Sequence, residues 1–158
     1  MTEDNLPFLE GTALLREGRA IEAVPHLEQA YELQRDDIDV AINLSGAYIL
    51  TKKFKSAAKI LERATDQNPD NAMAWINLGA AYLGNPVLAR DEDQKRAIAA
   101  FEHALAIDHV AQSVAYNIGL IYRDRGEASE AIFWFRQAVE HDPQDRDAKR
   151  WLNKLETA

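Results

Sequence analysis

The sequence is short of the groups that covalent and phosphate-binding chemistry needs. It has no cysteine, which excludes disulfides, thiolate metal sites and a cysteine nucleophile. Its 18 basic and 26 acidic residues give a net charge of −8, which disfavours a nucleic-acid backbone or an anionic membrane surface as the ligand. No apolar run approaches the roughly 20 residues that span a bilayer. The acidic N-terminal segment also lacks the apolar stretch of a signal peptide, so we expect a cytoplasmic protein without membrane contact.

A sequence pattern that ends in tyrosine occurs three times. Its copies occupy residues 41–48, 75–82 and 115–122, so that the tyrosines are 34 and then 40 residues apart. A second pattern, in which two alanines flank a large apolar residue, follows each copy and also precedes the first one. Its copies occupy residues 23–30, 57–64, 97–104 and 131–138. A period of this length indicates a repeat architecture, and six extra residues enter between Tyr82 and Ala97.

Both patterns have the periodicity of amphipathic helices. Val40, Leu44 and Tyr48 recur at the spacing of one helix face, and so do the apolar residues of the second pattern. Pro69 and Pro143 follow second helices, where a proline cannot continue the helix. Each period therefore predicts a pair of helices, and small residues at the pattern positions let the two backbones approach closely.

The combined pattern closely resembles the signature of the tetratricopeptide repeat family. It is carried by Trp75-x-x-Leu78-Gly79-x-x-Tyr82, then Ala97-x-x-x-Phe101-x-x-Ala104, with Pro143 as the closing proline of the last repeat. The resemblance implies an all-α fold, a right-handed superhelix (α-solenoid) of about four helix–turn–helix repeats plus a C-terminal capping helix. The whole chain, 1–158, is then one domain. We expect repeats at about 4–37, 38–71, 72–111 with a six-residue insertion, and 112–145, and the capping helix at about 146–157.

Some residues depart from the family pattern. Pro7 and Glu10 stand where the family has large apolar residues, so we expect a short first helix that acts as an atypical end cap. Pro25 falls inside a second helix, which requires the first helical turn or a kink. The insertion starts with the helix stop at 84–86 and continues into the acidic run at 91–93, which suits a helix N-terminus. It is interpreted as a longer loop with an extra helical turn, or alternatively as a loop that contacts a partner.

Catalytic motifs are missing from the sequence. The four histidines belong to different repeats except His103 and His109, whose spacing of six places them on different faces of a helix. Phosphate-binding loops, metalloprotease motifs and nucleophile elbows do not occur. We therefore expect no enzyme, no catalytic residue, no metal site and no cofactor.

The resemblance implies that the first helix of each pair lines the concave side of the superhelix. Apolar residues left on that side after the core is assigned predict a groove for an apolar or amphipathic peptide segment of a protein partner. The predicted site residues are Phe8, Leu15, Ile42, Asn43, Ile49, Met73, Ile76, Asn77, Leu83, Tyr116, Asn117, Leu120 and Arg123. The three asparagines occupy equivalent positions, and as a ladder they would hold a peptide backbone. The alternative is that they bond neighbouring helices.

Other modes of binding fit the same residues less well. A clamp for the C-terminal carboxylate of chaperones needs basic residues, but the corresponding places are not basic. They hold Phe8, Ile42, Met73, Ser113 and Asn117. Trp151 either closes one end of the groove or anchors a ligand.

The alternative function is a self-assembling module that buries its apolar strip in a homo-oligomer. A nucleic-acid reader built from similar helical repeats fits neither the period nor the acidic charge.

Overall fold

Four helix pairs and a C-terminal helix make up the described fold. The computed structural model of the chain describes residues 5–111 and 113–158, and within these residues it has nine α-helices and no strand. The helices are α1 (Leu6–Arg16), α2 (Ala20–Leu33), α3 (Ile38–Leu50), α4 (Phe54–Gln67), α5 (Ala72–Leu83), α6 (Asp91–Ile107), α7 (Val114–Asp124), α8 (Ala128–His141) and α9 (Arg146–Glu156). Each helix packs against the next one along the chain. The all-α repeat fold predicted from the sequence is therefore confirmed.

Side-chain caps fix the start of several helices. The Asp37 carboxylate accepts hydrogen bonds from the N–H groups of Asp39 (2.8 Å) and Val40 (3.2 Å) at the start of α3. Asn71 caps α5 and Asp145 caps α9 in the same way, with oxygen–nitrogen distances of 3.0 and 2.9 Å. Each cap satisfies a backbone N–H group that has no partner within the helix.

The core is a series of clusters between successive pairs. Leu27, Leu61, Phe101 and Phe135 occupy the same position in the four second helices, and all are at most 2% exposed. Three core clusters follow one another along the chain: the first is centred on Leu44 and Leu61, the second on Phe101 and Ile118, and the third on Phe135 and Ala148. A core of this kind is built from neighbour-to-neighbour contacts.

Tyrosines join consecutive repeats. The Tyr48 hydroxyl donates to the Glu28 carboxylate (2.6 Å), and the Tyr82 hydroxyl donates to the Glu62 carboxylate (2.9 Å). In both cases the glutamate lies in the second helix of the preceding repeat. The tyrosine that ends the first sequence pattern therefore forms a contact between consecutive repeats.

The structure changes the interpretation of two prolines. The first helix is not short: α1 has 11 residues, as many as α7, and buried Pro7 lies in its first turn, where the missing N–H group costs nothing. The expectation of a shortened end helix was therefore wrong. Pro25 lies in the second turn of α2, not the first, and the helix continues to Leu33.

The insertion forms a loop and extends a helix. It occupies residues 84–90 and is followed by α6, which has 17 residues against 14 in α2, α4 and α8. Asp91, Glu92 and Asp93 form the first turn of α6, and Asp93 Oδ2 accepts from the Arg90 N–H at 3.0 Å. This confirms the predicted loop and extra turn. Across residues 5–111 and 113–158, no helix combines the length and apolarity that crossing a membrane would require.

Candidate functional site

The first helices of the repeats lie side by side and line one face of the array. α1 contacts α3, and α3 contacts α5. A pocket of about 340 Å³ opens on this face, and we call it the apolar pocket. Much of its wall comes from the C-terminal halves of first helices: Ile49 in α3, Ala80 and Leu83 in α5, and Leu120 in α7. Three successive repeats therefore build one pocket.

Two features of the sequence shape the pocket at its open edge. Gly84 ends α5 with a positive φ of 58°, a conformation that favours glycine, and its backbone lies against the ring of Phe54. The chain then turns into the insertion, and Pro86 lines the pocket. Since Phe54 begins α4, the loop and the second repeat together complete the wall.

The rim of the pocket is polar. Asn117, Gln94, Arg123 and Asp124 line it together with the apolar residues. The Arg123 guanidinium donates twice to Asp124 Oδ1, at 3.0 and 2.7 Å, and lies 4.2 Å from the centre of the Trp151 ring. This arrangement of apolar walls and a few convergent polar groups is typical of ligand sites.

Five of the thirteen predicted site residues line the apolar pocket. They are Ile49, Leu83, Asn117, Leu120 and Arg123. Five others lie outside it, and their half-buried side chains pack against core clusters. Phe8, Leu15 and Ile42 pack against the first cluster, Ile76 against the second, and Tyr116 against the third. Met73 is 51% exposed and remains on the surface.

The three asparagines of the predicted ladder differ in the hydrogen bonds that they form. Asn43 Nδ2 donates to the Asp39 carbonyl of its own helix at 2.8 Å. Asn77 Nδ2 donates to the Ile42 carbonyl of α3 at 3.5 Å, a bond to the neighbouring helix. Asn117 lines the apolar pocket, and its side chain forms no hydrogen bond within the described residues. One amide is therefore fully available at the pocket, while the other two each use an N–H group within the fold.

Several pocket residues were not predicted from the sequence. Phe54, Gln94 and Phe101 line the pocket from second helices, and Gly84 and Pro86 line it from the insertion. The family resemblance points to first helices alone, so these residues were not among the predicted ones. Gly84 carried a usable signal, because a glycine at the end of an apolar helix favours a sharp change of direction.

Trp151 is half-buried, and its ring lies against Arg123, which lines the apolar pocket. Its ring lies under the Arg123 guanidinium and also near Lys154 Nζ, at 5.0 Å. Trp151 and Trp134 both pack against the third core cluster. The indole therefore fixes the position of an arginine at the rim of the apolar pocket.

Three of the titratable side chains, those of His26, Asp91 and His103, are engaged in contacts within the fold. The His103 ring stacks on Trp75 at 4.1 Å with an interplanar angle of 6°, and His26 Nδ1 lies 2.9 Å from Glu10 Oε2. Lys95, and secondly Arg125, lower the pKa of Asp91 through hydrogen bonds. In the part of the chain that the structure describes, no group of three or more histidine, cysteine, aspartate or glutamate residues could hold a metal ion.

Comparisons with known proteins match the repeated helix pairs. Two family models, both described as "Tetratricopeptide repeat", match residues 14–84 and 113–145. The chain is 27% identical over 137 residues to the tetratricopeptide repeat-containing protein trd-1 of Caenorhabditis elegans, covering 87% of this chain and 17% of that protein. It is also 27% identical over 150 residues to tetratricopeptide repeat protein 37 of Xenopus laevis, with 92% and 10% covered. The chain spans less than a fifth of the length of these curated relatives.

Solved structures with the same fold include two bacterial proteins. The structure "MamA 41-end from Desulfovibrio magneticus RS-1" superposes with a TM-score of 0.83 at 20% identity, covering 99% of this chain and 86% of that one. TTC0263, a thermophilic TPR protein of Thermus thermophilus, superposes with a TM-score of 0.79 at 18% identity, covering 98% and 81%. Similarities at this identity concern the fold alone.

Proposed function

Because this chain belongs to the tetratricopeptide repeat family, whose fold suggests a protein–protein interaction scaffold, we propose that it is a non-catalytic scaffold for a peptide. The ligand is an apolar or amphipathic segment of a partner protein, bound in the apolar pocket and the groove beside it. One observation carries the proposal. First helices of three successive repeats meet around a pocket with apolar walls and a polar rim.

The size of the pocket suits one large apolar side chain together with adjacent backbone. Transfer of a leucine or phenylalanine side chain from water contributes about 1.5–3 kcal/mol. Binding with a Kd of about 1 μM requires about 8 kcal/mol. The pocket alone is therefore too small for micromolar binding, and contacts along the rest of the groove must supply the remainder.

Asn117 supplies the polar part of this recognition. An asparagine amide can donate to and accept from the same peptide unit, and the Asn117 side chain has no hydrogen bond within the described residues. A peptide that inserts an apolar side chain beside Leu120 would place its own backbone near this amide. Asn117 would then fix the direction of the peptide without reading its side chains.

The test is a selection of short random peptides displayed on phage, with the purified protein as bait. Wild-type protein is expected to enrich peptides that contain large apolar residues. Leu120→Glu places a carboxylate in the pocket, and Ala80→Phe fills it with a ring, so each variant is expected to lose this enrichment. Circular dichroism of both variants checks that the helices are retained.

The matched control is Ile21→Glu, which introduces the same carboxylate at an apolar residue that is 80% exposed on α2. It is expected to select the same peptides as wild type. If folded Leu120→Glu and Ala80→Phe still enrich the wild-type peptides, the pocket does not bind them. If no peptide is enriched and wild-type protein is a dimer that Leu120→Glu dissociates, the pocket is instead an interface between two copies.

A further inference from the structure

A second concave region lies at the edge of the array where the insertion meets the turn between α3 and α4. It is a cleft of about 930 Å³, and we call it the basic cleft. Six basic side chains line it: Lys52, Lys53, Lys55, Lys59, Arg90 and Arg96. Only two acidic side chains, Glu62 and Asp93, are present among the residues that line it.

The charge of the cleft is opposite to that of the rest of the chain. The chain as a whole has 18 basic and 26 acidic residues. The cleft holds six of the basic and two of the acidic ones, so the remainder has twelve basic and 24 acidic residues. A local excess of four positive charges therefore faces solvent on a protein that is otherwise strongly acidic.

The acidic side chains in the cleft already have partners. Glu62 Oε1 accepts from the Tyr82 hydroxyl at 2.9 Å and lies 3.4 Å from Arg96 Nη2. The pKa of Asp93 is lowered, mainly because its carboxylate accepts a hydrogen bond from the backbone N–H of Arg90. Both acidic side chains are thus already engaged in contacts within the protein.

The lysines, in contrast, are available. Lys52, Lys53, Lys55 and Lys59 are exposed, and none of them forms an ion pair within residues 5–111 and 113–158. Lys53 Nζ lies 5.7 Å from the centre of the Tyr48 ring. Four ammonium groups without acidic partners along one cleft favour an anionic ligand.

The basic cleft is continuous with the apolar pocket. Phe54, Leu83 and Gly84 line both of them. The cleft also has an apolar side chain from the insertion, Leu88, which is 74% exposed. One extended segment can therefore cross from the pocket to the cleft without leaving the surface.

We propose that the partner segment carries acidic residues directly beside its apolar residues, and that the acidic part lies in the basic cleft. This inference rests on the proposed function, since it names the chemistry of the peptide bound in the apolar pocket. An acidic peptide fits better than a nucleic acid. The cleft has an excess of only about four positive charges, and the acidic residues that predominate in the rest of the chain repel a phosphate backbone that extends beyond the cleft.

The proposal is tested in the same peptide selection with one more variant. Lys52→Glu, Lys55→Glu and Lys59→Glu are combined in one protein, and the control combines Arg16→Glu, Arg146→Glu and Lys149→Glu. Both variants change the net charge equally, and all six side chains are exposed. Carboxylates near the N-terminus of α4 interact favourably with the helix dipole, whereas lysines there interact unfavourably. The first variant is therefore expected to remain folded.

Wild-type protein is expected to enrich aspartate and glutamate next to the apolar residues. The cleft variant should keep the apolar enrichment and lose the acidic one, and the control variant should behave as wild type. A synthetic copy of a selected peptide, followed by fluorescence anisotropy, is expected to bind the cleft variant about tenfold more weakly, because several exposed ion pairs of a few-fold each are lost. Raising the salt concentration should weaken wild-type binding in the same direction.

The outcomes separate this inference from the proposed function. Apolar enrichment that depends on Leu120 without acidic enrichment overturns the inference and leaves the proposed function intact. Without any apolar enrichment, the proposed function itself fails. Lysine-dependent binding of a fluorescent single-stranded oligonucleotide, without an acidic preference among peptides, overturns the inference in favour of a phosphate ligand. If the wild-type protein is a dimer that only the cleft variant dissociates, the basic cleft binds a second copy of the chain and the inference is overturned.

Discussion

The ring of Phe101 lies directly on the backbone of Gly79. A methyl group at Gly79 would stand 2.7 Å from two carbons of that ring. The same relationship joins Gly119 and Phe135, where the distance would be 2.8 Å. In each pair the glycine belongs to the first helix and the phenylalanine to the second. The missing side chain of one helix is the space that the aromatic ring of the other helix fills.

Gly79→Ala is therefore expected to destabilise the protein. Overpacking costs about 1–3 kcal/mol, and the better helix propensity of alanine offsets up to about 1 kcal/mol. Gly46→Ala is the matched control, because no heavy atom lies within 4 Å of the new methyl group. It is expected to raise the free energy of unfolding by up to about 1 kcal/mol. Urea unfolding measures both, and an equal gain in the two variants would contradict the close contact at Phe101.

Tyr48→Phe tests the contact between the first two repeats. At neutral pH the loss of the hydrogen bond to Glu28 is expected to cost about 0.5–1.5 kcal/mol. Burial, and then this hydrogen bond, raise the pKa of Tyr48 above its ordinary value. The folded state therefore holds the phenolic proton more tightly than the unfolded chain does. This stabilisation is fully present below about pH 10, the ordinary tyrosine pKa, and is lost as the pH rises through the folded value.

Unfolding in urea at a series of alkaline pH values measures this dependence. The free energy of unfolding of wild type is expected to fall more steeply above about pH 10 than that of Tyr48→Phe. Tyr82 contributes in the same direction, because burial and Glu62 raise its pKa as well. Some alkaline loss therefore remains in the variant. Equal slopes for the two proteins would show that Tyr48 ionises as freely in the folded state as in the unfolded one.

Arg125→Met tests how the insertion is held. The side chain of Arg125 is 17% exposed, and its guanidinium donates to Asp91 (2.6 Å) and Gln94 (3.0 Å) in the first turns of α6. Without it, amide hydrogen exchange is expected to become faster in residues 84–95. Arg136→Met, which removes an exposed ion pair with Glu156 on α8 and α9, is the control and should leave this segment unchanged.

The difference between Arg125→Met and wild type should depend on pH. The pKa of Asp91 is lowered by Lys95 and Arg125, so the ion pair stabilises the fold above the ordinary aspartate pKa, about 3.9. That stabilisation is lost as the pH falls through the lower folded value. The exchange rates of the two proteins are therefore expected to converge in strong acid. A constant difference down to acid pH would indicate that packing of the arginine stem, not its charge, holds the segment.

Trp151→Ala tests the contact between α9 and the rim of the apolar pocket. Loss of the half-buried indole is expected to cost about 2 kcal/mol, mostly within α8 and α9. Because each helix packs mainly on its neighbours in sequence, hydrogen exchange in α1 to α4 should not change. Faster exchange throughout the chain would contradict this locality. Peptide binding in the pocket should also weaken, since Arg123 loses the ring on which it rests.

The sequence predicted the fold well because the fold repeats. Tyr48, Tyr82 and Tyr122 recur in register, and their positions place the helix pairs, the contacts between repeats and the core. The separation of core from groove was predicted less well. Ile42 and Ile76, which were assigned to the groove, are half-buried against core clusters. The same is true of the pocket residues Ile49, Leu83 and Leu120, because a residue at the border of two helix faces contacts both sides.

The pocket itself could not be derived from the period. Gly84 and Pro86 reach it from the insertion, which does not follow the repeat. The direction of an asparagine amide is equally hidden in a sequence: equivalent positions gave a bond within one helix at Asn43 and a bond across two helices at Asn77. Such details depend on differences of about 1 Å in the distances between neighbouring polar groups, which a residue pattern does not encode.

A pocket shared by three repeats has a consequence for how the array comes apart. In a linear array the ends can open while the middle remains folded, since each unit is held only by its neighbours. A ligand that contacts Ile49, Leu83 and Leu120 at once loses its site when any one of these repeats opens. Its binding free energy then adds to the stability of all three, so that the second, third and fourth repeats would melt as one cooperative unit when the site is occupied.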